Sequence, residues 1–131
     1  MGADASEAPR AQAHHVTDPL IEVDLGTELA VLRTTDSYKA ADHAAKTIVK
    51  QPGIRVVLIA LKAGGHMHEH HADWAITVQG VDGNVEFNVA GRTVALTAGH
   101  LLTVAAGTPH QVTGIDESAL LLTIGGAHTT S

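Results

Sequence analysis

The sequence predicts an all-β domain that folds as a β-sandwich or β-barrel. Short segments in which apolar and polar residues alternate recur along the chain, and residues 85–89, Val-Glu-Phe-Asn-Val, are the clearest example. Turn-forming sequences separate these segments roughly every eight to twelve residues, which is the spacing typical of sandwiches and barrels. The core must be mainly aliphatic, because Tyr38, Trp74 and Phe87 are the only residues of their types.

The organisation of the chain predicts one folded domain between two tails. Residues 1–18 show no apolar periodicity and predict a disordered tail, in which His14 and His15 are assigned no function. The single domain is expected at residues 19–125, because Asp-Pro at its start marks a turn before order begins. The small, polar residues 126–131 predict a short C-terminal tail.

The first part of this domain is the least regular. Residues 21–25 alternate apolar and polar and predict a strand, and residues 29–32 predict a second short strand. Residues 34–45 are the one place for a short helix, capped by Asp36 or Ser37 and favoured by its alanines. A loop fits this segment as well.

From residue 46 onward the pattern predicts strands joined by tight turns. Gln51-Pro52-Gly53 is a turn because proline fixes φ and glycine adopts positive φ without strain. Asp82-Gly83 and Ala90-Gly91 predict further turns. The predicted strands cover residues 46–50, 54–61, 75–81, 85–89, 92–96, 101–104, 110–113 and 118–124.

Charge and composition exclude several classes of partner. The net charge of −6 and the pI near 5.9 argue against nucleic acid, which requires a basic face. The longest apolar run, residues 56–61, is the length of a strand rather than of a membrane span. The N-terminus has no apolar stretch of the kind found in secretory signals, and the chain has no cysteine. We therefore expect a cytoplasmic protein that binds neither nucleic acid nor membranes.

The chemistry of the chain is concentrated in a cluster of histidines. Four of its ten histidines lie within residues 66–71, and His110 follows a Gly-Thr-Pro turn. Imidazole is the commonest protein ligand for transition metals. Alternate residues of a strand project from the same face, so His66, His68 and His70 are expected to form one row. Facing His110, this row predicts a metal site of three or four imidazoles.

Neighbouring residues have less definite roles. Glu69 and His71 have the opposite parity and are expected to face solvent or a partner subunit, although a β-bulge would exchange the two rows. Asp73 is the one carboxylate placed to ligate the metal, to orient a ligand histidine or to act as a base. A turn residue before Trp74 is the favoured interpretation of Asp73, and Trp74 lines the pocket, covers a dimer seam or packs in the core.

The histidine that follows the turn belongs to a recognisable motif. The second cupin motif is usually written Gly-x5-Pro-x-Gly-x2-His-x3-Asn. The sequence has Gly99, Ala105 in place of the proline, Gly107, His110, and Gly114 in place of the asparagine. The chain therefore resembles a small single-domain bacterial cupin, which implies a double-stranded β-helix, or jelly-roll barrel.

The resemblance covers residues 46–124, and the first cupin motif, Gly-x5-His-x-His-x3–4-Glu-x6-Gly, fits in two registers. In the first register the motif ends at Gly80, with His66 and His68 as its histidines and Asp73 in place of glutamate. This register puts Gly80 inside a strand, where glycine is unfavourable.

In the second register the motif ends at Gly83, which lies in a predicted turn, and the strand pattern favours this placement. Gly64 and His70 then match the motif, while Ala72 and Ile76 stand where the second histidine and the glutamate are usual. The two histidines before His70 would replace the missing ligands. Many small stand-alone cupins are similar in keeping the histidines that match His70 and His110.

Function is less constrained than fold. A site without thiolates suits Fe, Mn, Ni, Cu or Zn, and softness alone does not choose among these divalent metals. The resemblance implies a metal-dependent enzyme acting on a small organic molecule, such as an oxygenase, isomerase or lyase, with its catalytic residues unknown. The alternative is a non-catalytic module that binds a metal or small ligand for sensing or storage, and the shortage of acid–base residues supports it. Resemblance to cupins also implies a homodimer formed by sheet contacts.

Overall fold

The computed structural model describes residues 19–126, which form two short helices followed by nine β-strands. The predicted tail at residues 1–18, with His14 and His15, lies outside the described residues, as do residues 127–131. The helices are α1 (Leu25–Arg33) and α2 (Asp36–Ala40). The strands are β1 (His43–Gln51), β2 (Ile54–Leu61), β3 (His66–His70), β4 (Ile76–Asp82), β5 (Asn84–Val89), β6 (Arg92–Thr97), β7 (Leu101–Val104), β8 (His110–Gly114) and β9 (Ser118–Gly125).

The strands predicted at residues 21–25 and 29–32 are wrong, because helix α1 begins where the first was expected to end. The Asp24 carboxylate accepts a hydrogen bond of 3.1 Å from the amide three residues along, which caps the helix. Leu29 and Leu32 are three residues apart and both are buried. The apolar spacing is therefore helical, and the short alternation before it only leads into the cap.

The helix expected within residues 34–45 is present but shorter, as α2. Its cap is Thr35, one residue before the predicted Asp36 or Ser37. The Thr35 hydroxyl accepts a hydrogen bond of 3.3 Å from the Tyr38 amide. Strand β1 then begins at His43, three residues earlier than predicted. No helix among residues 19–126 is long and apolar enough to cross a membrane.

Two antiparallel sheets form the body of the domain and confirm the predicted all-β jelly-roll barrel. One sheet has five strands in the order β1-β2-β9-β4-β7, and the other has four in the order β3-β8-β5-β6. Each sheet joins one hairpin, β1-β2 or β5-β6, to strands from distant parts of the chain, as in the pairing of β2 with β9. The inward faces meet in a core of the aliphatic residues expected from composition. These core residues are Val57, Ile59, Leu61, Ile76, Val78, Val85, Phe87, Leu96, Val104, Val112 and Leu120.

The helices cover the outer face of the five-stranded sheet. Leu29, Leu32 and Tyr38 pack there against Leu58 and Ala60 of β2. From residue 57 onward strand β2 is therefore buried on both faces, which explains the apolar run at residues 56–61. It also lies between β1 and β9, so this strand has no free edge for a sheet contact with a second copy.

The two glycines that offered alternative motif registers differ as the strand pattern predicted. Gly83 lies in a turn with φ of +70°, which favours glycine. Gly80 lies inside β4, and a Cβ added there would be 2.1 Å from the Thr97 carbonyl oxygen. Close approach of the neighbouring backbone explains why a strand contains glycine at this position.

Candidate functional site

The pairing of β3 with β8 is interrupted in the middle of the histidine cluster. Met67 pairs with Val112 and His70 pairs with His110, so the two residues between them on β3 are opposite a single residue of β8. Such a bulge reverses the alternation of side chains beyond it. As a result, Met67 and His70 both line the barrel interior.

His70 and His110 meet at one end of the barrel. Their Nε2 atoms are 3.1 Å apart, and their ring centroids are 4.3 Å apart with planes at 66°. His110 is buried, with 4% of its surface exposed, whereas His70 is exposed to solvent. Phe87 stacks on His110 from the core side, with ring centroids 6.2 Å apart.

The other ring nitrogen of each histidine is fixed in the same way. His70 Nδ1 lies 2.9 Å from the His68 carbonyl oxygen, and His110 Nδ1 lies 3.0 Å from that of Thr108. A carbonyl oxygen only accepts hydrogen bonds, so each Nδ1 carries a proton and donates it. In the neutral rings, both Nε2 atoms then carry a lone pair, 3.1 Å from each other. Two lone pairs at this distance repel unless the nitrogens share a proton or bind a common metal ion.

Burial disfavours the charged form of the His110 ring. It lowers the pKa of His110, and the charges of the nearby His70 and His71 lower this pKa further. The hydrogen bond to Thr108 raises this pKa, but by less than burial lowers it. Neutral imidazole is the form that ligates metals, so this environment favours ligation.

His66 and His68 lie on the outer face of the four-stranded sheet, not in one row with His70. His66 Nδ1 is 3.0 Å from the Thr113 hydroxyl, and the rings of His66 and His68 are 5.2 Å apart. The row predicted from strict alternation is wrong because the bulge separates its members. Among residues 19–126, no group of three or more histidine, aspartate or glutamate side chains is arranged to hold a metal ion.

Two cavities lie near the histidine pair. The inner one, lined by His70, His110, Met67 and Phe87, has a volume of about 20 Å³, which is room for one water molecule or one ion. The outer one has about 360 Å³ and is lined in part by His71, Asp73 and Trp74. His71 and Asp73 are thus separate from the inner pair.

Several features of this region were not predicted from sequence. The carbonyl groups that orient the histidines carry no sequence signal, because every residue has one. The inward position of Met67 depends on the bulge, which the run of histidines does not reveal. Arg55, which lines the outer cavity, did leave a signal in the sequence. It has the same parity as the inward-facing Val57 and Ile59 of β2 and so belongs to the same face of the strand.

Solved structures of similar fold come from several bacteria. A conserved protein of unknown function from Streptococcus pyogenes has a TM-score of 0.65 at 17% identity, covering 87% of this chain and 94% of its own. An RmlC-like cupin from Shewanella frigidimarina has a TM-score of 0.63 at 20% identity, covering 69% and 81%. Oxalate decarboxylase of Bacillus subtilis, which has Mn(II) centres, has a TM-score of 0.53 at 19% identity, covering 59% and 22%.

At these identities the similarity establishes the fold alone. No curated protein matches the chain significantly. A sequence profile of the cupin domain matches residues 56–125, which is more than half of the chain. This profile, together with the two-sheet barrel, shows that the chain belongs to the cupin family.

Proposed function

We propose that the protein is a metal-binding cupin whose divalent ion is held by His70 and His110. The observation that carries this proposal is the pair of Nε2 atoms 3.1 Å apart, each with its Nδ1 tied to a backbone carbonyl. Two nitrogens about 2.1 Å from one ion have this separation when they subtend about a right angle. Hydrogen bonding of the second ring nitrogen to a carbonyl is the usual way in which a ligand histidine is oriented.

The donor set suits Fe, Mn, Ni, Cu or Zn, since imidazole binds all of them. A related barrel, the Bacillus subtilis oxalate decarboxylase, has Mn(II) centres, which supports a divalent metal. The four-histidine site expected from sequence would require β3 to pair without its bulge, which would turn His68 inward. We therefore assign His70 and His110 as the central ligands and His66 and His68 as ligands only in that alternative pairing.

The function that this centre supports best is a metal-dependent reaction on a small organic molecule, of the oxygenase, isomerase or lyase type. A bound divalent ion would supply Lewis acidity at positions that the two histidines leave open. The chain's own contribution is to orient two neutral imidazoles and to exclude water from the apolar side, where Phe87 and Met67 lie.

Elemental analysis of the native protein tests the metal centre directly. We expect one divalent ion per chain, and we expect a His110→Ala variant to lose it while remaining folded. His100→Ala is the matched control, since His100 is exposed and lies in the turn before β7. A metal-free native protein that no divalent ion stabilises in a thermal melt would contradict the proposal.

A second candidate function is metal or ligand binding without catalysis, as in a sensor or storage protein. It is favoured by one observation: no carboxylate among residues 19–126 lines the inner cavity, so an acid–base partner is missing there. Turnover of a substrate panel by the metal-loaded protein would support the enzyme. Saturable binding without turnover would support the module.

The homodimer and the cytoplasmic location remain predictions of the same proposal. Light scattering of the purified protein distinguishes a dimer from the 13.5 kDa monomer. Cell fractionation tests the location.

A further inference from the structure

The outer cavity is large enough for a small molecule, and its lining differs from the rest of this acidic protein. Its volume of about 360 Å³ falls within the range of small-ligand sites. The residues around it combine basic, aromatic and apolar side chains: Lys50, Arg55, His71, Asp73, Trp74 and Ile124. The chain has 14 acidic residues and only 8 lysines and arginines, so a cavity lined by one lysine and one arginine departs from its average charge.

Lys50 and Arg55 lie directly opposite each other on β1 and β2. Like charges in this arrangement destabilise a sheet. Within residues 19–126, neither side chain forms an ion pair: the described pairs involve Arg33, His43 and Lys46 instead. The repulsion between the two is therefore relieved by solvent or by a bound anion.

Arg55 is held in a position that suits a ligand. It is the outermost residue of the inward-facing row of β2 and pairs with Ile124 of β9. Its Nε atom is buried and has no hydrogen-bond partner in the described part of the chain. The Arg55 side chain also lines the outer cavity and has no ion-pair partner among residues 19–126, so its charge is available to an anion in that cavity.

Trp74 supplies an apolar wall to the same cavity. Its ring lies over the backbone of Gly126, where an added Cβ would be 2.9 Å from the indole, and 40% of the residue is exposed. Ala72 and Ile124 complete the apolar part and pack against the barrel core. The cavity thus offers a cationic end and an apolar surface.

We infer that this cavity binds a small organic carboxylate, with the carboxylate at Arg55 and Lys50 and the apolar part of the molecule along Trp74. A guanidinium matches the planar, bidentate geometry of a carboxylate. Asp73 offsets one of the two basic charges, which fits a singly charged anion better than a phosphate group carrying nearly two charges. This inference deepens the proposed function. The role of the bound carboxylate as a substrate of the metal site rests on that function. Binding of the anion itself does not require the metal.

Trp74 is the only tryptophan, so its fluorescence reports on this cavity alone. The test is a titration of the full-length protein with phenylacetate, with its neutral amide and with inorganic phosphate, each with a chelator and with added metal. We expect a saturable change with phenylacetate, no saturable change with the amide, and weaker binding of phosphate. Arg55→Gln should raise the Kd for phenylacetate at least about tenfold, because it removes a charge-assisted bidentate contact.

Three further variants keep the test decisive. Arg55→Lys preserves charge and should give an intermediate Kd, and Lys50→Gln should weaken binding less than Arg55→Gln. Arg92→Gln is the matched control, since Arg92 is exposed on β6 and does not line this cavity. Thermal melts establish that each variant is folded, and if Arg55→Gln is not, the comparison of Arg55→Lys with Arg92→Gln decides.

The inference is overturned if phenylacetate gives no saturable change, if the amide binds equally well, if phosphate binds more tightly, or if the Arg55 and Arg92 variants behave alike. Failure of the metal proposal gives a different result. In that case elemental analysis finds no metal, yet phenylacetate still binds in the presence of chelator. If the protein binds metal but not phenylacetate, the metal proposal stands and the carboxylate inference fails.

Discussion

Within residues 19–126, two close histidine pairs lie on opposite faces of the same sheet. His70 and His110 face the interior, with ring centroids 4.3 Å apart, and His66 and His68 face outward, with centroids 5.2 Å apart. Both pairs include residues of the same five-residue strand. Only the inner pair has both Nδ1 atoms bound to carbonyl groups and its two Nε2 atoms close together, at 3.1 Å.

This difference shows that orientation, more than proximity, makes histidines into a candidate metal site. In the outer pair, His66 Nδ1 is directed at the Thr113 hydroxyl, which both donates and accepts. Its tautomer is therefore not fixed by that contact. The inner pair is fixed because carbonyl oxygens accept only. The predictions below test whether the two pairs differ in stability and metal affinity as this contrast requires.

The largest effect is expected from removing the aromatic support of the inner pair. Phe87 is almost fully buried and stacks on His110, so Phe87→Ala should lower the free energy of unfolding by about 3–5 kcal/mol. Urea unfolding of the metal-free protein measures this loss. Thr113→Val alters the neighbour of the outer pair and serves as the comparison. Equal losses of stability in the two variants would contradict the proposal that the surroundings of the inner pair are packed more tightly than those of the outer pair.

The next effect concerns metal affinity and is the direct test of the contrast. His70→Ala should weaken binding of the preferred divalent ion at least about a hundredfold, because a ligand contributes more than the outer-sphere groups whose loss costs 10–100-fold. His66→Ala should leave the affinity within about threefold of wild type. Competition against a metal indicator measures both. A large loss in His66→Ala, or in His68→Ala, would instead favour the pairing of β3 without a bulge.

Much of the fold followed from sequence because β-strands reveal themselves locally. The alternation in residues 85–89 and the turns at Pro52-Gly53 and Gly83 depend on neighbouring residues only, and strand β7 begins and ends where predicted. The mistaken strands before residue 33 show the converse. Five alternating residues are too short to distinguish a strand from the approach to a helix, and burial of Leu29 and Leu32 against β2 decides the outcome.

The candidate site was predicted only in part, for a related reason. His70 and His110 follow from motif positions that the barrel topology brings together, and they do lie in contact. The places of His66 and His68 required the register of β3 against β8, and a single bulge changes that register without a local signal. Arg55 was not singled out from the sequence, although it has the same parity as the inward-facing Val57 and Ile59 of its strand.

A smaller effect is expected in the pH dependence of stability. Burial lowers the pKa of His110, so below pH of about 6.5 the unfolded chain takes up a proton that the folded chain resists. The contribution is fully present above the unfolded pKa and is lost as pH falls towards the lowered folded pKa. Metal-free wild type should therefore lose more stability than His110→Gln between pH 8 and pH 5 in urea unfolding. Parallel losses in the two proteins would contradict burial as the cause.

The smallest effect is expected on the outer face. Thr113→Val removes the hydroxyl 3.0 Å from His66 Nδ1, and because this hydrogen bond is partly exposed to water, stability should fall by about 1 kcal/mol or less. Metal affinity should be unchanged, since neither atom faces the inner pair. The two quantities can be measured on the same preparation by urea unfolding and by indicator competition. A change in metal affinity without a change in stability would mean that the outer histidines participate in the site, and the inner and outer pairs would then have to be treated as one centre.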